Sequence, residues 1–278
     1  MDLDLVRDSI VRFVHEDVGR GDVTTKAVVP DDADGKARIE ARGEFVVAGL
    51  EVAASCFEIV GPGTVTWSNI ASDGQTTFAG EVLALLHGSL HTILTGERTA
   101  LNLLGRLSGV ATLTSEFVRA IEGTPARIVD TRKTTPGLRL LEKYAVRVGG
   151  GHNHRFGLDD GILIKDNHVR AAGGVGEAVT RARNAAPQGL VVEVEVTDLS
   201  ELDEALAAGA EAILLDNMAP EMIREAVGRA GGKAVLEASG GVTLDNVRSY
   251  AEAGVDLISI GALTHSARAA DVSLEVED

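Results

Sequence analysis

Residues Val191 to Gly241 read VVEVEVTDLSELDEALAAGAEAILLDNMAPEMIREAVGRAGGKAVLEASGG, and their rhythm decides the fold. Three short apolar runs, VVEVEV, AILLDN and AVLEAS, alternate with two stretches of helix length, SELDEALAAGA and APEMIREAVGRAGG. Strand, helix and strand in regular succession predict parallel strands joined by right-handed crossovers. The spacing is even: Glu195 to Asp216 is 21 residues (216 − 195), and Asp216 to Glu237 is another 21 (237 − 216). Each run is apolar and then stops on a polar residue.

The same pattern extends both ways. TLDNVRSYAEAG and LISIGA follow it, and RIVDT and ILIKD precede it, which makes six strands. An open doubly wound sheet fits this order, but polar residues at every strand end favour a barrel. Six strands where a full barrel has eight predict an open, incomplete α/β barrel.

Upstream the character changes. Leu3, Val6, Ile10, Phe13 and Val14 fall at helical spacing, and Gly19 to Gly21 end that helix. KARIEA, EFVVAG, TVTWSN and EVLALLHG alternate like strands, interrupted by an apolar helix over Leu50 to Val60. A long helix runs from His91 to about Ile121. The expected organisation is an N-terminal α/β sandwich lobe over 1–107, the barrel over 108–270, and a tail over 271–278 that returns to the first lobe.

Composition narrows the function. Hydrophobic residues make up 45% of the 278 residues and aromatics only 3%, so the core is aliphatic. The net charge of −16 opposes binding to nucleic acid phosphates. No apolar run is long enough to cross a bilayer, and the N-terminus lacks a basic-then-apolar signal, which predicts a cytoplasmic protein. Cys56 is alone and sits in VAASCFEIV, as a buried thiol does. Only six of the 26 basic residues are lysines, and this Lys-poor acidic composition resembles that of proteins from high-salt cytoplasm.

The strand ends sort by charge. Asp130 with Arg132 and Lys133 comes first, then Lys165 with Asp166, Glu193 and Glu195, Asp216 with Asn217, Glu237 with Ser239, and Gly261. In a parallel barrel they share one rim, and so many charges together are costly unless a ligand uses them. Arg132, Lys133, His154, Arg155 and Lys165 form a cationic pocket for carboxylates or phosphates. Glu195 and Asp216 form an acidic pair suited to Mg²⁺, to sugar hydroxyls or to a cationic sugar transition state. Ser239-Gly240-Gly241 and Gly261-Ala262 offer backbone N–H groups to a phosphate. A phosphorylated sugar carrying pyrophosphate, beside an anionic acceptor, would use all three features.

The stretch DTRKTTPGLRLLEKYAVRVGGGHNHRFGLDDGILIKDNH (Asp130 to His168) closely resembles the quinolinate phosphoribosyltransferase family. ERTALNLLGRLSGVAT, VEVEV, ILLDN, LEASGG and IGALTHS match it in order. The resemblance implies transfer of phosphoribosyl from phosphoribosyl pyrophosphate to quinolinate, giving nicotinate mononucleotide, pyrophosphate and CO2 with Mg²⁺. It also implies that Arg98 enters a neighbouring copy's site, hence a dimer or a hexamer. By the same resemblance Arg132, His154, Arg155 and Lys165 bind the two carboxylates of the acceptor. Lys133 is then a catalytic lysine, Glu195 and Asp216 lie at the ribose and its metal, and Ser239, Gly240, Gly261 and His265 hold the 5′-phosphate. Thr134, Gly241, Ala262 and Leu263 complete the substrate-binding set. Two residues depart from the family pattern: Ala238 replaces a small polar residue, and His152 an apolar one.

Three rivals share these residues. One is a related barrel phosphoribosyltransferase with another acceptor. Another is an aldolase or epimerase with Lys165 as Schiff-base lysine. The last is a nucleotide-binding protein without turnover.

Overall fold

The computed structural model describes residues 2–277. In chain order the first elements are α1 (Arg7–Val18), α2 (Val23–Val28), β1 (Asp34–Ala41), β2 (Phe45–Val46), α3 (Leu50–Val60), β3 (Val65–Asn69), β4 (Thr76–Thr77), β5 (Val82–Ser89) and α4 (Leu90–Ala120). Then come β6 (Arg127–Val129), α5 (Arg139–Val148), β7 (Ile162–Ile164), α6 (Asp166–Ala172), α7 (Val175–Ala185), β8 (Val192–Val196) and α8 (Leu199–Ala207). The chain continues through β9 (Ala212–Asp216), α9 (Pro220–Ala230), β10 (Val235–Ser239), α10 (Val247–Glu252), β11 (Leu257–Ser259), α11 (Ala262–His265) and β12 (Val272–Glu277).

Two compact units emerge. The first comprises 1–115, 134–150 and 264–278, and the second 116–133 and 151–263. These differ from the consecutive division expected from the sequence, because 108–115, 134–150 and 264–270 group with the first unit. The reason is physical. Glu142 of α5 is fully buried and accepts Arg106 Nη2 at 2.7 Å and the Thr135 hydroxyl at 2.8 Å. Arg106 also donates to the carbonyl oxygens of Ala267, at 2.8 Å, and of Thr264. One ion pair on a buried carboxylate thus fastens three distant segments, and removing Arg106 would strand the Glu142 charge. Gly109 lets the returning chain lie against α4, since a Cβ there would meet the Arg268 carbonyl oxygen at 1.8 Å.

The first unit is built on an antiparallel sheet in the order β12-β1-β5-β3. Ile39, Ala41, Leu83 and Leu86 are buried from this sheet, and Phe57 of α3 meets Trp67 of β3 at 5.8 Å between rings. Asp22 caps α2, accepting the N–H groups of Thr24 at 3.0 Å and Thr25 at 2.9 Å. Asp22→Ala is expected to cost about 1 kcal/mol in urea unfolding; an unchanged midpoint would show that the cap is not used.

The second unit carries a parallel sheet in the order β6-β11-β10-β9-β8-β7. From β7 to β11 neighbours in sequence are neighbours in the sheet, and the first strand, β6, pairs with the last, β11, which is barrel order and not doubly wound order. Among the described residues β6 and β7 do not pair, so the barrel is open there; the isolated bridge Val129–His152 occupies that edge. Val192, Val194, Ile213, Leu215, Leu236 and Ala238 are buried along one face of the strands. The alternate positions, two residues apart, face the other way and carry the polar groups.

Candidate active site

The strand period of two builds the site. Leu163 and Lys165, Glu195, Leu214 and Asp216, Glu237 and Ser239, and Ser259 share one parity and line one cavity of about 320 Å³. Thr131, Arg132, Lys133, His154 and Arg155 complete its wall. Four cations therefore face three carboxylates within one enclosure. Of the residues expected from sequence, Arg132, Lys133, His154, Arg155, Lys165, Glu195, Asp216 and Ser239 come together here. Gly240, Gly241, Gly261, Ala262 and Leu263 follow the same strand ends without lining the cavity. Arg98, Thr134 and His265 belong to the first unit.

Each position has a local cause. Lys165 Nζ meets Glu195 Oε2 at 2.9 Å, across adjacent strands β7 and β8. Asn217, with φ of 54°, turns the chain sharply after β9 and donates its N–H to Ser239 O at 2.8 Å. Gly240 must be glycine beside it: its φ is 91°, and a Cβ would meet Asn217 Oδ1 at 2.2 Å. Such a close approach leaves no room for a side chain at the glycine-rich strand end. His265 is exposed and shares a hydrogen bond with Ser266 at 2.7 Å.

The loop after α5 is fixed from inside. Asp130, fully buried at the end of β6, accepts the His154 N–H at 2.9 Å and Asn153 Nδ2 at 2.5 Å. His154 Nε2 lies 3.0 Å from Glu193 Oε2 and 3.3 Å from Glu237 Oε2. Its Nδ1 accepts the Arg155 N–H at 2.8 Å. Arg155 then donates Nη1 to the Gly161 carbonyl at 2.8 Å.

The electrostatics follow from these contacts. Burial alone would lower the His154 imidazole pKa, but the Glu193 and Glu237 carboxylates beside Nε2 carry it up to about 10. The Arg155 N–H works in the opposite sense, because a protonated Nδ1 has no lone pair to receive it. These influences disagree on the total charge. The directed N–H···Nδ1 contact is the tighter constraint and leaves one proton, on Nε2. Burial raises the Glu193 carboxyl against the pull of His154. Burial, and then the neighbouring Arg132 cation, lowers Arg155. An anionic ligand would relieve that crowding. Burial pushes the Cys56 thiol up to about 12, far from any nucleophilic range.

Sequence reasoning placed Asp130, Glu193 and Glu237 at strand ends without giving them a role. The signal was present in the spacing, since Glu193 precedes Glu195, and Glu237 precedes Ser239, by one strand period. The resemblance gave His154 to the ligand, yet both its ring nitrogens are engaged within the protein. Ala238 is buried on the face away from Glu237 and Ser239, so its missing hydroxyl is not missing from the cavity. His152 is exposed and does not line the cavity.

This architecture can be compared with known proteins. The family model described as quinolinate phosphoribosyl transferase, N-terminal domain, matches residues 22–108, and that of the C-terminal domain matches 110–275. The chain belongs to the quinolinate phosphoribosyl transferase family. A nicotinate-nucleotide pyrophosphorylase [carboxylating] from Mycobacterium leprae is 45% identical over 99% of this chain and 98% of its own. A probable nicotinate-nucleotide pyrophosphorylase [carboxylating] from Bacillus subtilis is 44% identical over 95% of this chain and 91% of its own. The solved nicotinate-nucleotide pyrophosphorylase from Francisella tularensis is 41% identical, with a TM-score of 0.94 over 100% of this chain and 98% of its own. As in the family, an antiparallel N-terminal lobe is followed by an open parallel barrel. No helix among the described residues is long and apolar enough to cross a membrane.

Proposed function

We propose that this family member transfers phosphoribosyl from phosphoribosyl pyrophosphate to quinolinate with decarboxylation, giving nicotinate mononucleotide, pyrophosphate and CO2 in NAD biosynthesis. The observation that carries the reading is the single cavity in which Arg132, Lys133, Arg155 and Lys165 face Glu195 and Asp216. Cations and carboxylates converge there as an anionic acceptor and a sugar cation require.

The chain's residues divide the work. Arg132 and Arg155 hold the acceptor carboxylates, with guanidinium forks matched to them, and Lys133 stands beside the reacting ring. The fixed ring presents its nitrogen to the ribose C1, which removes most of the orientational cost of attack. As the C1–O bond to pyrophosphate breaks, positive charge grows on the sugar, and Glu195 and Asp216 stabilise it. Lys165 leaves Glu195 to meet the departing pyrophosphate, together with Arg132. The product ring nitrogen is cationic, so the C–CO2 electron pair can stay on the ring carbon as CO2 departs, and a proton takes its place. Ser239, Gly240, Gly241, Gly261, Ala262, Leu263 and His265 hold the 5′-phosphate, with Thr134 next to Lys133 in the substrate-binding loop.

Glu195 and Asp216 are oxygen donors on one cavity wall, which fits Mg²⁺ held jointly with substrate oxygens. When bound, the ion neutralises pyrophosphate charge. Arg98, 63% exposed and 3.6 Å from Glu97, is available to a neighbouring copy, so we place the enzyme in a dimer or a hexamer. The Lys-poor acidic surface suits work at high salt inside the cell.

A turnover assay tests the reading. Quinolinate, phosphoribosyl pyrophosphate and Mg²⁺ are expected to give nicotinate mononucleotide and CO2 in equal amounts, at low or molar KCl, with nicotinate inert as acceptor. Silence from folded protein at every salt concentration would transfer the reading to a related phosphoribosyltransferase with another acceptor.

A further inference from the structure

Glu237 is the anomaly of the second unit. It is 1% exposed, and among the described residues its carboxylate meets His154 Nε2 at 3.3 Å, outside good hydrogen-bond geometry. A buried carboxylate in that condition weakens the fold, so its presence asks for a functional reason. It also stands between two cavities. One is the active-site cavity; the other, of about 520 Å³, opens among the strand starts Ile162, Ala212, Val235 and Leu257. His154, Arg155 and Glu237 line both and form the partition between them.

His154, Glu193 and Glu237 place three potential metal-ligand atoms within 4.8 Å of one another. A metal would need the Nε2 lone pair, but Nδ1 already accepts the Arg155 N–H, which puts the ring proton on Nε2. The cluster is therefore a hydrogen-bonded bracket and not an ion site.

We infer that Glu193 and Glu237 are positioning residues of the acceptor pocket: they grip His154 at Nε2, and His154 grips the Arg155 backbone at Nδ1. Asp130 completes the bracket by accepting the His154 N–H. Arg155, tied also to the Gly161 carbonyl, is thereby delivered to the cavity wall in one place. Misplacement by even a small distance would loosen a directional arginine–carboxylate contact. The link to acceptor binding rests on the function proposed above; the hydrogen-bonded bracket does not.

Glu237→Gln and Glu193→Gln test it with two readouts. The first needs no substrate. In protein with ¹⁵N-labelled histidine, the His154 Nε2–H resonance, assigned by its loss in His154→Asn, is expected to move in both variants. The second is kinetic, with quinolinate as probe. KM for quinolinate is expected to rise about tenfold, while KM for phosphoribosyl pyrophosphate stays within about twofold. The Tm of Glu237→Gln is expected to hold or rise, because a buried charge is lost without loss of volume. An unmoved resonance overturns the inference, as does an unchanged quinolinate KM. A fall in Tm with both KM values rising together would reduce the two residues to a purely structural role. Should the unmodified protein not turn over quinolinate, the proposed function fails, and the resonance still decides whether the bracket exists.

Discussion

Arg155→Ala is expected to lower kcat/KM for quinolinate by about a thousandfold, since truncating one partner of a desolvated charge pair costs roughly 2–5 kcal/mol. The magnitude follows from place. Arg155 lines the cavity with Arg132, and burial with like-charge crowding disfavours its charge, which the carboxylate we propose to bind there would relieve. Its removal lowers repulsion in the unliganded pocket, so the fold should not suffer. Arg155→Lys keeps the charge and loses the fork, and should recover only part of the loss. Steady-state kinetics with quinolinate varied at saturating phosphoribosyl pyrophosphate give the answer. A loss below about threefold would remove Arg155 from the acceptor site.

Asp216→Asn is expected to lower kcat by about 10²–10³, the pattern of a group that acts on charge present only in the transition state, with KM raised for phosphoribosyl pyrophosphate, whose Mg²⁺ it shares, and little changed for quinolinate. The substitution keeps shape. Asp216 lies at the cavity wall at the end of β9 and accepts Asn217 Nδ2 at 2.7 Å, which an asparagine oxygen can also do. What disappears is one negative charge on the cavity wall where we propose the sugar becomes cationic. Glu195→Gln should behave differently, because it also takes the counter-charge 2.9 Å from Lys165. Rapid-quench measurement of the first turnover separates chemistry from product release. An unaltered first-turnover rate in Asp216→Asn would exclude its role at the sugar.

Much of the fold was legible because strand and helix periods are strong signals in long aliphatic segments. The helix expected over Leu50 to Val60 forms over those residues, and all six barrel strands occur where VVEVEV and its relatives placed them. The open barrel was legible from strand number and polar ends. Short elements were not: β4 has two residues, and α2 depends on the single Asp22 cap. Nor could local pattern show that 134–150 folds with the first unit, because that follows from a pairing between Arg106 and Glu142, 36 residues apart. In the site, the charged residues were legible by type and their convergence by parity. The bracket around His154 was not, since which imidazole nitrogen meets which partner depends on side-chain direction, and a linear pattern carries none.

The pairing of β12 with β1 has a consequence for biosynthesis. Its register joins Lys36 to Glu277 and Ala41 to Val272, so the first unit's sheet is completed by a strand that follows the whole barrel in the chain. Every strand of the barrel has been synthesised before that segment exists. Strand β1 therefore keeps one edge open until β12 has been made. That edge is exposed to other chains over the interval between the two strands. A chain cut short before Val272 would carry all six barrel strands and a β1 without its second neighbour.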